Sequence, residues 1–351
     1  MTSILIINLG GIGDFILSSP VIRAIHEHQA DARVCLLTSS RILPVAQRLP
    51  YIDKVYCLDI KYGGWIPSAK LFKMVKVLWF LRKQHFELAV NMRTLVSEKS
   101  ARKIKLLLKL INPKKSAGRN TEGRGSFFDI SIPETDIGQK SEMEYDIDTA
   151  AALGIDVNNL TITLPIDKTS RKKAIASLEE RGFLENRTVL IGFHIGGMPS
   201  RRWPVENFAR VIDLLDKELR CTFIITGSKE DAPLAQALQS RTKSRVVDLC
   251  GALNIIETSA VIDACDLFFS NDTGPMHIAA ALRTPLVAIF GPGDLKRFDP
   301  RNMSDKARVL YHKIQCAPCN HVKCPKQPEL ECLKTISPDD VFDAAMELWR
   351  T

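Results

Sequence analysis

Asp272, Thr273, Gly274, Pro275, Met276 and His277 stand between an apolar strand pattern, Leu267 to Ser270, and the small-residue run Ile278-Ala-Ala-Ala281. A strand that passes through a short polar loop straight into a helix makes an anion site. Proline suits the first helical position, which places Gly274 at the cap and the amides of Met276 and His277 among the donors without intrahelical partners, at the positive end of the helix dipole. A phosphate or pyrophosphate fits there. Asp272, Thr273 and His277 add groups that could hold a ribose or sugar hydroxyl beside it.

Two more stretches of the second half carry similar chemistry. His194-Ile-Gly-Gly-Met-Pro-Ser-Arg-Arg-Trp-Pro204 follows another strand pattern and offers the amides around Gly196 and Gly197, then Arg201 and Arg202. Open amides with guanidinium groups suit a diphosphate, while the competing reading is a flexible loop with exposed arginines. Thr226-Gly-Ser-Lys-Glu-Asp231 closes the next strand. Glu230 or Asp231 could accept hydrogen bonds from ribose hydroxyls, although the helix dipole alone also favours acids in a first turn.

In the first half, Gly10-Gly-Ile-Gly-Asp14 ends the opening strand. A dinucleotide fingerprint starting at Gly11 and Gly13 would need a third glycine at Ile16 and an acid after the second strand, which instead ends Leu37-Thr-Ser-Ser40. Hydride transfer is therefore disfavoured. Gly11 and Gly13 still bring backbone close to a ligand, and Asp14 is a candidate general base whose alternative is a helix N-cap.

Two patterns point to metals. Cys316, Cys319, Cys324 and Cys332, with His321 among them, could form a structural zinc site or disulfides, though the spacing matches no common zinc module. Cys35, Cys57, Cys221, Cys250 and Cys265 lie in or beside apolar strands and read as packing residues. Asp146-Ile-Asp148 has the form of a magnesium-binding pair, but the Thr149 to Leu153 pattern behind it favours helix-start chemistry. The site is then expected to work without a metal, with positive charge from Arg201, Arg202 and the helix at Gly274.

These residues need a scaffold of alternating strands and helices. Ile4 to Asn8, Arg33 to Thr38, Val55 to Leu58 and Leu88 to Asn91 are short and apolar, with helical patterns between most of them. The alternation restarts at Thr188 to His194 and continues at Thr222 to Thr226, Val246 to Leu249, Leu267 to Ser270 and Leu286 to Phe290. This predicts an α/β protein of two Rossmann-like halves, residues 1–165 and 166–351, with the active site in a cleft between them. Helices are predicted over Pro204 to Leu219, behind a proline at the first helical position, and over Pro338 to Trp349.

With 351 residues, 45% hydrophobic and 25% charged, the chain has the composition of a soluble two-domain protein. No apolar run approaches the roughly 20 residues needed to span a bilayer, and the opening strand has no basic region ahead of it, so the expected place is the cytoplasm. A net charge of +8 favours an anionic partner. Lys70, Lys73, Lys76, Arg82 and Lys83 interleave with apolar residues, and Lys99, Arg102, Lys103, Lys105 and Lys109 form a second run. Both read as basic amphipathic helices suited to anionic headgroups, against the alternative of solvated faces packed on a sheet. No nucleic-acid recognition motif is present.

Gly13-Asp14 with Pro20, Arg201-Arg-Trp-Pro204 and Asn271-Asp-Thr-Gly-Pro-Met-His277 together resemble the bacterial lipopolysaccharide heptosyltransferases of glycosyltransferase family 9. The resemblance covers nearly the whole chain, including the cysteine-rich ending. It implies a GT-B fold with an acceptor-binding first domain and a nucleotide-sugar-binding second one. It also implies inverting transfer from ADP-L-glycero-β-D-manno-heptose to the lipopolysaccharide inner core, on the cytoplasmic face of the inner membrane, with no cofactor. Asp14 matches the family's base. Thr273 and Gly274 would hold phosphate, Asp272 and His277 would lie near the donor sugar and its diphosphate, and Glu230 or Asp231 lines up with the ribose-binding acid. Arg93 and Lys99 resemble the stretch near the acceptor. The family usually has lysine where Arg201 stands. A family member using another nucleotide sugar, a GT-B nucleotide-sugar epimerase, and a binding module without turnover are the alternatives.

Overall fold

The computed structural model describes residues 3–29, 31–59, 68–135, 138–180, 189–319 and 321–350. The Lys70 side chain, Thr188 and part of the expected domain boundary lie outside the described residues. The chain divides into two compact units, Met1–Ile162 and Thr163–Thr351.

The first unit runs β1 (Ser3–Asn8), α1 (Ile12–His28), β2 (Arg33–Thr38), α2 (Leu43–Ala46), β3 (Lys54–Cys57), α3 (Ser68–Arg82), β4 (Leu88–Asn91), α4 (Glu98–Ile111), β5 (Lys115–Thr121), β6 (Ile130–Glu134) and α5 (Glu142–Ala152). The second runs α6 (Lys168–Glu179), β7 (Val189–His194), α7 (Val205–Glu218), β8 (Cys221–Thr226), α8 (Ala232–Gln239), β9 (Val246–Asp248), α9 (Ile255–Ala264), β10 (Leu267–Asn271), α10 (Gly274–Leu282), β11 (Leu286–Phe290), α11 (Leu295–Phe298), β12 (Ala307–Tyr311), α12 (Glu331–Lys334) and α13 (Pro338–Arg350).

Each unit holds a six-stranded sheet, in the orders β3-β2-β1-β4-β5-β6 and β12-β11-β10-β7-β8-β9, and the strands pair in parallel throughout. Central strands are apolar on both faces because helices cover both. Ile4 to Ile7 are at most 1% exposed, and Ile6 is flanked in register by Leu36 and Val90. In the second sheet Phe269 lies between Phe193 and Val287, and its ring stacks on Phe193 at 4.6 Å. The strand order reverses between β1 and β4 in one sheet and between β7 and β10 in the other. At such a switch point adjacent loops leave in opposite directions and open a crevice at the carboxyl ends of the strands.

Three strands escape the apolar pattern. β5 reads Lys-Ser-Ala-Gly-Arg-Asn-Thr, yet Ser116 to Arg119 are buried. The Arg119 guanidinium donates to Glu142 at 2.8 Å and to Thr94 at 2.9 Å, pairs with Asp146, and has Glu134 at 3.9 Å. Asp146 and Asp148 consequently do not start a helix. They sit inside α5, whose real start is Ser141, its hydroxyl accepting from the Glu144 amide while the Glu144 carboxylate accepts from the Ser141 amide. Asp146 accepts from Ser18 at 2.6 Å, and Asp148 pairs with Lys140. Burial pushes the Asp146 carboxyl up to about 6, against the pull of Arg119. Replacing Arg119 with leucine leaves three carboxylates in the interior without their guanidinium. Urea unfolding should then record a loss of about 3–5 kcal/mol, and a loss below 1 kcal/mol would show that the network is not structural.

The other unforeseen strands are β6 and the edge strand β12. Two prolines also shift by one position. Pro204 is the N-cap of α7 rather than its first residue, and α10 has Thr273 at the N-cap, with Gly274 first and Pro275 second. Among the described residues no helix is long and apolar enough to cross a membrane.

Candidate active site

At the first switch point β1 ends in Asn8, whose side-chain oxygen accepts from the Gly10 amide at 3.2 Å. The chain then turns into α1 with Gly11 as the cap and Asp14 as the third helical residue. Asp14 is thus not the cap, but it serves the helix start, because its Oδ2 accepts from the Gly11 amide at 2.7 Å. Its Oδ1 pairs with Arg93, which follows β4 and whose carbonyl accepts from the Asn91 side chain at 2.6 Å. Burial works against the Arg93 charge, yet Asp14 and Glu142 raise its pKa above the usual arginine value. Gly10 has to lack a side chain, since a Cβ there would lie 2.7 Å from Asp14 Oδ2 and 3.0 Å from Arg93 Nε.

These groups line a crevice of about 670 Å³, with Gly11, Asp14, Ser39, Arg41, Arg93, Ser100 and Lys103 in its wall. Gly13 does not reach it and is buried in the first turn of α1. Lys99 faces a neighbouring depression with Arg102 and Lys103. The structure therefore brings together Gly11, Asp14 and Arg93, and sets Lys99 beside them rather than among them.

At the second switch point Asn271, the last residue of β10, is fully buried. Its amide nitrogen donates to the carbonyls of Ile195 and Gly196 at 3.0 and 3.1 Å, and its oxygen accepts from the Trp203 amide at 3.1 Å. One side chain thereby fixes the glycine loop after β7 against the turn into α7. A Cβ on Gly196 would lie 2.8 Å from the Asp231 carboxyl. Gly197 has φ of 118° and leaves no room beside Thr273, so only glycine suits it.

The two arginines are held differently. Arg201 Nη1 bonds Asp272 at 2.7 Å, and Asp272 is only 3% exposed. Arg202 Nε donates to the Gly197 carbonyl at 2.8 Å, with Asp231 3.7 Å from Nη2. Both are partly buried and hydrogen-bonded within the fold rather than fully exposed. Asp272, expected near the donor sugar and its diphosphate, holds Arg201. Asp231 is buried and its Oδ2 accepts from the Ser228 amide and hydroxyl, whereas Glu230 is exposed. Hydrogen bonding at its own backbone and at Ser228 keeps the Glu230 carboxyl below its usual range. Of the two candidate acids, Glu230 is the exposed one.

The α10 start differs from the expectation in one respect. The Met276 amide is turned back to the Thr273 carbonyl at 3.2 Å, so it is not an open donor. His277 is buried and packs edge-on against Phe298 at 6.2 Å. His194, at the end of β7, directs Nδ1 to the Thr226 carbonyl at 3.0 Å, and burial lowers its pKa to about 4, leaving a neutral ring.

The cysteine-rich segment supports this loop. Ser200 donates its amide to the Val322 carbonyl at 3.1 Å and its hydroxyl to the His321 carbonyl at 2.6 Å. The Trp203 indole N–H lies 3.1 Å from the Leu333 carbonyl and 3.2 Å from that of Ile336. Cys316, Cys319, Cys324 and Cys332 are free thiols lining one cavity of about 70 Å³, and burial beside the other three raises Cys332 to about 11. Among the described residues no three ligands are placed to hold a metal, so the zinc reading gains no geometric support, and no disulfide is formed.

The model of the family described as glycosyltransferase family 9 (heptosyltransferase) matches residues 74–329, most of the chain, with Arg93 and the whole of the second switch-point loop inside the match and Asp14 ahead of it. The chain belongs to glycosyltransferase family 9. It is 26% identical to lipopolysaccharide heptosyltransferase 3 of Escherichia coli over 292 residues, 80% of this chain and 81% of that one. It is 24% identical to lipooligosaccharide heptosyltransferase 2 of Campylobacter jejuni over 351 residues, covering 96% and 95%. The fold matches the solved E. coli ADP-heptose LPS heptosyltransferase II with a TM-score of 0.75 at 20% identity, over 99% and 98% of the two chains. The family 9 fold is accordingly GT-B, and the protein is a glycosyltransferase. A carboxylate stands at one switch point and a glycine-rich loop with two arginines at the other.

Proposed function

We propose that this glycosyltransferase moves heptose from ADP-L-glycero-β-D-manno-heptose to the inner core of lipopolysaccharide, with inversion and with Asp14 as general base. The observation that carries the reading is the Asp14 carboxylate, fixed by Arg93 and the Gly11 amide at the rim of an open crevice. A carboxylate has about four lone-pair positions, so two such bonds leave capacity for an acceptor hydroxyl. Asp14 would take the proton of that hydroxyl as its oxygen forms the new bond to the anomeric carbon. The bond from that carbon to the diphosphate breaks on the opposite face, and its electron pair leaves with ADP. Arg201 and Arg202, with the start of α10 at Thr273 and Gly274, stabilise the leaving charge. Glu230 accepts from the ribose hydroxyls, and the unit containing Asp14 receives the acceptor. The acceptor being lipid-linked, the enzyme works at the inner face of the inner membrane.

The test is transfer itself. Purified protein given ADP-heptose and heptose-deficient core lipid should release ADP only when the acceptor is present. ADP release that does not depend on acceptor, with an altered free sugar, would replace the reading by epimerisation. No release with any inner-core acceptor removes it.

A further inference from the structure

The outer surface of α3 and α4 is unlike the rest of the molecule. Thirteen large hydrophobic side chains are exposed among the described residues, and seven of them are on these two helices. α3 is apolar on both sides rather than cleanly amphipathic. Leu81 is fully buried, and Met74, Val77 and Leu78 pack partly against the core, while Phe72 is 71%, Val75 56% and Trp79 50% exposed. α4 is better segregated, burying Leu107 and Leu108 and exposing Leu106 and Leu110. The helices are tied together where Arg82 donates to the Leu110 carbonyl at 3.1 Å.

Charge chooses the occupant of this face. α3 contains no acidic residue and α4 contains one, Glu98. Lys73, Lys76, Lys83, Arg102, Lys105 and Lys109 are exposed around the apolar side chains, and the Lys83 ammonium lies over the Trp79 ring at 3.7 Å. A second copy of the chain on this surface would bring like charges together, and protein interfaces are depleted in lysine. An anionic bilayer offers acyl chains to the apolar groups and phosphates to the lysines, whose long stems let the ammonium groups stay at headgroup level.

We propose that the α3–α4 face docks on an anionic lipid bilayer, with Phe72, Val75 and Trp79 entering the interface. α4 links this face to the reaction, because Ser100, Lys103 and Ile104 line the Asp14 crevice while Leu106 and Leu110 face outward. The same helix thus borders the bilayer and the acceptor crevice, so a lipid-anchored sugar reaches Asp14 without leaving the membrane. The proposal rests on the acceptor being lipid-linked.

The experiment is sedimentation of the full chain with vesicles of phosphatidylethanolamine and phosphatidylglycerol, and with vesicles of phosphatidylcholine. The wild type should pellet with the anionic vesicles and stay in solution with the neutral ones. The F72S/V75S/W79S variant, altered only at exposed positions, should keep its unfolding midpoint and lose about tenfold or more in partitioning. Lipids brominated along the acyl chain should quench part of the wild-type tryptophan emission and none of that part in Trp79→Phe. Equal binding to both vesicle types, unchanged partitioning of the triple variant, or a dimer that the triple variant abolishes overturns the proposal. Vesicle binding without heptose transfer would leave the docking intact and remove the assigned reaction. Transfer to soluble core oligosaccharide without vesicle binding would do the reverse.

Discussion

Asp14→Asn is expected to lower kcat by about two to four orders of magnitude, the usual contribution of a positioned general base, while ADP-sugar affinity stays within about twofold. The asparagine has the same shape, and its oxygen can still accept from the Gly11 amide, so α1 keeps its start. It lacks the capacity to take a proton, and its single oxygen cannot also accept from Arg93. A loss confined to kcat identifies a group acting in the transition state rather than in binding. Steady-state ADP release with saturating acceptor, paired with calorimetric titration of donor, separates the two. Turnover within about threefold of wild type would assign the base elsewhere.

Arg201→Ala is the second large effect. Removing a cation that stabilises developing charge on a leaving group costs about 10²–10³ in kcat. Here the loss has a structural companion, since the almost fully buried Asp272 would lose this ion pair, at about 1–3 kcal/mol of stability. Arg201→Lys distinguishes the two. An ammonium can balance Asp272, but a guanidinium can hold Asp272 through Nη1 and present another N–H to a diphosphate oxygen. The lysine variant should therefore regain most of the stability and only part of the rate, followed by urea unfolding and ADP release. Full wild-type turnover in Arg201→Lys would mean that charge alone matters, as at the usual family lysine.

Much of the scaffold was legible because buried parallel strands such as Ile4–Ile7 and Leu286–Phe290 announce themselves as apolar runs. β5 did not, because its burial depends on Arg119 meeting carboxylates from α5 and β6, a long-range pairing that no local pattern contains. The same blindness misplaced Asp146, whose spacing to Asp148 looked like a local feature while its partners stand on α1 and β5. At the site, the glycines and arginines were legible from residue type, but their division of labour was not. Residue type did not announce that Asp272 pairs with Arg201. The amide of Asn271 joins two backbone segments, Ile195–Gly196 and Trp203. An asparagine closing an otherwise apolar strand was the available hint, since a buried amide has to find partners.

The two strand-order reversals lie in separate sheets, and the residues lining the Asp14 crevice all belong to the first unit. On the proposed function, acceptor recognition and donor recognition sit on independently mutable halves of one gene. Substitutions that remodel the crevice around Arg41 and Lys103 leave untouched the framework that Asn271 and the cysteine-rich tail build around Arg201. A lineage can in this way explore new acceptor sugars while retaining its activated donor, and grafting residues between relatives should transfer one preference without the other.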